Sequence, residues 1–109
     1  MKFIAVAIIT TAIAFAAHAE STPDQTARRL GRMEWHASVC HLPTAPLEDA
    51  LERYIGRIHA GALEADHLRQ EMVAGRAEHE RLLGSRMNCD GAAAEVATTI
   101  EQIDKIGLH

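Results

Sequence analysis

The stretch LEDALERYIGRIHAGA, residues 47–62, decides the fold. Leu47, Leu51, Tyr54, Ile55, Ile58 and Ala62 recur at steps of three and four, so on an α-helix they form one narrow apolar stripe. Glu48, Asp49, Glu52, Arg53 and Arg57 take the rest of that helix surface. A strand would need strict alternation of apolar and polar residues, and no such run occurs in residues 20–109. The chain therefore reads as all-α.

Beyond Gly61 the face continues through Ala65, Leu68 and Met72, so residues 46–83 form either one bent helix or two. A third helix is expected over 66–83, broken or frayed near Gly75, with Leu82, Leu83 and Met87 adding apolar contacts. Upstream, Thr44 can cap the 47–62 helix, and Pro43 and Pro46 end the one before it. That first helix has a strong start in Thr22, Pro23 and Gln25, a capping-box pattern with proline at the first helical position. Leu30, Met33, Ala37 and Cys40 form its stripe, with Trp35, Val39 and Leu42 alongside. Downstream, Asn88 or Asp90 can cap a last helix that buries Ala92, Ala93, Val96, Ile100 and Ile103 and stops at Gly107. The expected architecture is a single-domain bundle of about four helices. Its core is expected to use Leu30, Met33, Leu47, Leu51, Tyr54, Ile55, Ile58, Val96, Ile100 and Ile103.

Residues 1–19 read as a cleavable signal peptide: Lys2, an apolar run from Phe3 to Ala17, and the small-x-small site Ala17-His18-Ala19. The apolar run of about 15 residues is short for a membrane span, which takes about 20. No cysteine follows it at a lipid-attachment position. Residues 20–109 are then one exported domain with no membrane anchor after cleavage, expected in a bacterial periplasm or secreted further. In an oxidising compartment Cys40 and Cys89 are expected to pair. Closing a loop of about 50 residues contributes on the order of 4 kcal/mol in a chain-entropy treatment.

Without Lys2 the exported part carries a formal charge of about −5, which disfavours nucleic acid as a partner. Arg28, Arg29 and Arg32 read as a solvated helix face, with an anion contact as the alternative. No catalytic signature is present, so no enzyme activity and no cofactor are expected. His79-Glu80 starts like a zinc-protease helix, but Leu83 stands where the second histidine belongs. Glu48 and Asp49 are sequence neighbours that point about 100° apart, which makes no dyad. His67 and Glu71 are an i,i+4 pair suited to a surface hydrogen bond. The densest grouping of soft donors is Met33, His36, Cys40 and His41. With Cys40 in a disulfide, Met33, His36 and His41 are left as candidate copper or zinc ligands.

Six histidines, at 36, 41, 59, 67, 79 and 109, follow the leader, and protonating all of them brings the charge to about +1. With its export signal, length, helical pattern and cysteine interval, the chain resembles the small periplasmic acid-stress chaperones of enteric bacteria. That likeness implies an acid-activated chaperone that loosens and exposes apolar helix faces. Tyr54-Ile55-Gly56 is similar to a helix segment of secreted immunity proteins that neutralise cell-wall amidase effectors. That likeness implies an inhibitor that plugs an effector's active site. The expectation common to these readings is a small exported non-enzymatic protein that binds another protein in the bacterial envelope, related to stress; a periplasmic copper or zinc binding protein is a further alternative.

Overall fold

A computed structural model describes residues 21–84 and 88–106. They form four helices: α1 Pro23–Val39, α2 Ala45–Arg57, α3 Ala62–Leu83 and α4 Ala92–Asp104. No strand occurs among the described residues. The leader, Met87 and Gly107 lie outside them. No described helix is long and apolar enough to cross a membrane.

Each boundary has a local cause. Gln25 N–H donates to Thr22 Oγ1 at 3.2 Å and Thr22 N–H to Gln25 Oε1 at 2.9 Å, the reciprocal pair expected of a capping box. At the other end of α1, Leu42 N–H donates to Ala37 O at 2.7 Å and His41 N–H to Ser38 O at 3.2 Å. These are the two bonds of a Schellman closure, and they put His41 in the left-handed region at φ 58°. Helix α2 closes the same way, with Ala60 N–H on Ile55 O, His59 N–H on Gly56 O, and His59 at φ 55°. Two histidines thus stand where glycine is usual.

Of the two alternatives for residues 46–83 the structure has two helices: α2 stops at Arg57 with Ile58 as its C-cap, and α3 begins at Ala62, which corrects the expected start at 66 and moves Ala62 off the α2 stripe. The expected caps need correction too. Thr44 precedes α2 without a side-chain capping bond, its backbone already helical at φ −95° and ψ −22°. Neither Asn88 nor Asp90 caps α4. Asn88 Oδ1 instead accepts the Asp90 N–H at 2.9 Å in a tight turn, and Gly91, at φ 74°, provides the left-handed step into the helix.

The helices run up, down, up, down. Asp24 meets His67, Arg28 meets Glu71 and Trp35 meets His79, so α1 and α3 are parallel. Arg53 holds Asp104 and Arg57 reaches the Ile106 carbonyl, so α2 and α4 are parallel too. The most extensive packing is α1 on α3, whereas α3 and α4 do not pack on each other.

Gly75 does not break α3, which runs unbroken for 22 residues. A Cβ at Gly75 would lie 2.4 Å from the Arg28 carbonyl oxygen, and one at Gly31 only 1.9 Å from that of Met72. The two glycines let the α1 and α3 backbones touch. Glycine's cost within a helix, about 1 kcal/mol relative to alanine, is offset by that close approach.

Leu30, Leu47, Tyr54, Leu68 and Ile103 are the largest fully buried side chains. Met33, Ile58 and Ile100, expected in the core, pack on its edge and stay partly exposed. Leu82, expected to add apolar contact, is 60% exposed on the outer side of α3. Cys40 and Cys89 are bonded, with their Cα atoms 5.5 Å apart, tying the end of α1 to the turn before α4.

Candidate functional site

Because α3 and α4 stand apart, a cleft of about 680 Å³ opens between them with α1 as its floor. That is within the range of small-ligand sites, roughly 300–1,000 Å³. Its floor is the α1 stripe Arg29, Arg32, Met33 and His36, spaced i, i+3, i+4, i+7 so that all four share one helix face. Helix α3 adds His79 and Leu83; α4 adds Ala94, Glu95, Thr98, Thr99 and Gln102.

Most arginines outside the cleft are paired with carboxylates. Arg28 pairs with Glu71, Arg53 and Arg57 with Asp104, Arg69 with Glu52 and Asp66, and Arg76 with Glu34. In the cleft, Arg29 donates to the neutral amide of Gln102, and Arg32 has no carboxylate partner among the described residues. The charge of Arg32 is felt by His79. Its pKa is lowered, first by burial and then by Arg32 and His36, with Glu78 opposing. The ring of His79 packs edge-on against Trp35, centroids 5.2 Å apart.

His36 is 5% exposed. Its Nδ1 lies 3.5 Å from a Glu95 carboxylate oxygen, whereas its Nε2 is buried without a hydrogen-bond partner. A carboxylate oxygen can only accept, so the Glu95 side suits a proton on Nδ1. Buried polar atoms of proteins are seldom left unpaired.

The structure divides the expected metal set. Met33 and His36 both line the cleft, but His41 does not join them. It is the exposed C′ residue of α1, turned away by the left-handed step that closes the helix. Cys40 and Cys89 are consumed by their disulfide.

The His67–Glu71 pair gains a third member that sequence spacing did not show. One ligand atom each from Asp24, His67 and Glu71 lies within 4.8 Å of the others. All three are already engaged: His67 Nε2 is 3.1 Å from Asp24, and Glu71 holds Arg28. The hydrogen bond and charge of Asp24 raise the His67 pKa. This cluster fastens the start of α1 to α3.

Glu48 approaches Glu34 of α1 instead of forming a pair with Asp49. Glu34 is 7% exposed, and its carboxyl pKa is raised by burial and by Glu48, against the pull of Arg76 at 3.1 Å. A smaller cleft of about 310 Å³ lies beside them, lined also by Leu51, Glu52, Arg69, Met72 and Val73.

Sequence reasoning missed His79 and Glu95 as neighbours of His36, and Gln102 as the partner of Arg29. It also read the Arg29–Arg32 face as solvated, although the i, i+3, i+4, i+7 stripe of Arg29, Arg32, Met33 and His36 was legible. No family model, no curated protein and no solved structure matches this chain.

Proposed function

We propose that the chain is an exported, non-enzymatic protein of the bacterial envelope that works by binding another protein, with the α1–α3–α4 cleft as its binding face. The observation that carries this reading is the contrast of charge. On a chain with formal charge −4, the cleft presents Arg29 and Arg32 with no carboxylate partner among the described residues, against the single carboxylate of Glu95, beside the apolar surfaces of Met33 and Leu83. Such a surface suits an acidic partner and steers its approach. The apolar leader and the Cys40–Cys89 bond support the periplasm, or the space beyond it, as the place of action.

A pull-down from an envelope fraction, at neutral and acid pH, tests the reading. The exported chain should retain a specific protein partner, and Arg29→Glu with Arg32→Glu should lose it. Arg81→Glu, an exposed position on α3 that does not line the cleft, should keep it. No retained partner, or one indifferent to the double reversal, would reject the proposal. The acid arm addresses the chaperone reading, which His79 beside Arg32 favours: protonating this imidazole sets a second positive charge against Arg32 where α1 and α3 meet the cleft. Clients held only at acid pH would establish that version.

A further inference from the structure

Beyond the protein-binding face, we infer that Asp24, His67 and Glu71 form a site for a divalent transition-metal ion of the zinc type, which fastens the first turn of α1 to α3. None of the three lines the cleft, so this site stands or falls independently of that face. Helix α3 supplies His67 and Glu71, an i,i+4 pair on one helix face, and the first turn of α1 supplies Asp24. One ligand atom from each lies within 4.8 Å of the others. A zinc ion bonded tetrahedrally at about 2.0–2.2 Å holds its ligand atoms roughly 3.3–3.6 Å apart. His67 Nε2 stands 3.1 Å from Asp24 Oδ2 and 3.8 Å from Glu71 Oε1, on either side of that spacing. Small side-chain adjustments therefore admit the ion, and it arrives from solvent because His67 and Asp24 are half exposed.

The contacts already present prepare the three side chains for an ion. Nε2, turned toward Asp24, is the nitrogen that binds it, and the ion takes the place of the proton there. Arg28 holds Glu71 through Oε2 and leaves Oε1 toward His67. Ligating carboxylates are commonly fixed in this way by an outer hydrogen bond. Arg28 also lies 3.9 Å from Glu78, a carboxylate that offsets its charge. Asp24, Glu71 and Glu64 all act on His67 as negative charges, so the field at the imidazole suits a cation. The donor set selects the class: zinc and its neighbours take imidazole nitrogen with carboxylate oxygen, whereas calcium takes about six to eight oxygens. The backbones are also in place, since α1 and α3 touch at Gly31 and Gly75, and Gly75 lies one turn beyond Glu71.

The full exported chain, freed of metal by a chelator, is titrated with zinc alone, and with calcium in parallel. Calorimetry should count one zinc per chain, and the His67 imidazole signal should move with it saturably by NMR. With free zinc at about one hundred times Kd, the folding equilibrium constant should rise about a hundredfold. His67→Ala, Asp24→Asn and Glu71→Gln should each weaken binding at least about tenfold. His41→Ala, at the exposed end of α1, should leave it unchanged.

Absence of zinc uptake would overturn the inference. So would zinc that moves the His36 or His41 signal and leaves His67 in place, because it then sits on the α1 set. Calcium bound as tightly as zinc would reduce the cluster to a patch of negative charge and overturn the site as well. All three outcomes are read on the unmodified chain, so none depends on a variant that folds. A chain that takes no zinc yet retains its partner in the pull-down rejects the metal site and spares protein binding. Zinc held at His67 without a retained partner does the reverse.

Discussion

Helices α1 and α3 meet in two ways within two turns of each other. At Gly31 and Gly75 their backbones touch, with no room for a methyl group on either side. Farther along, Trp35 and His36 face His79, and side chains hold the helices apart where the cleft begins. The first contact rests on main-chain atoms that cannot rotate away; the second rests on rings and guanidiniums that can. One helix pair thus supplies both a fixed crossing and an adaptable mouth.

The largest effect should come from the mouth's far closure. Replacing Cys40 and Cys89 by alanine frees the turn before α4 from α1, and should cost on the order of 4 kcal/mol in urea unfolding. If the cleft depends on that tie, the His36 NMR signal should also change before global unfolding. A loss below about 1 kcal/mol would mean that packing alone positions α4.

Breaking the crossing should come next. Gly31→Ala sets a methyl 1.9 Å from the Met72 carbonyl oxygen and should cost about 1–3 kcal/mol despite alanine's better helix propensity. Net stabilisation would show that the helices are not this close in solution.

Titration sharpens the contrast, because the two ends of the α1–α3 pair respond to pH with opposite sign. His79 has a lowered pKa in the fold, so its neutral form is favoured. It costs stability as pH falls from about 6.5 through that lowered value. His67 has a raised pKa, so its contribution is complete below about 6.5 and disappears as pH rises through the raised value. His79→Phe, which keeps an aromatic ring against Trp35, should therefore flatten the acid side of the stability profile. His67→Asn should lower stability on the acid side and leave mildly alkaline stability unchanged. Denaturant midpoints across pH 5 to 8, roughly the imidazole range, check both signs.

The smallest effect belongs to the helix ends. His59→Gly relieves a left-handed residue at φ 55° and should stabilise by up to about 1 kcal/mol, visible as a higher midpoint at unchanged slope.

Much of the fold was legible because its causes are local. The capping box at Thr22 and Gln25 needs residues three apart, and the α2 stripe needs only helical periodicity. Other features were misread for the opposite reason. Gly75 looked like a weak point because its packing partner, the Arg28 backbone, lies 47 positions away. His41 looked like a ligand because spacing alone cannot show that the chain turns left-handed there. Asn88 and Asp90 looked like caps, yet the turn fixed by Cys89 gives that place to Gly91.

The candidate site divides along the same line. Arg29, Arg32, Met33 and His36 share a face by helical arithmetic, and sequence by itself determined that, together with the helical class and the pairing expected of Cys40 and Cys89. Whether that face would be core, solvent or cleft depended on what stood opposite. Tertiary structure alone decided it: the glycine crossing brings His79 to His36, while α4, tied back through Cys89, stops short of α3. The physical reason is reach. Propensity and periodicity act within a few residues, whereas a cleft is made by surfaces that the chain brings together from far apart.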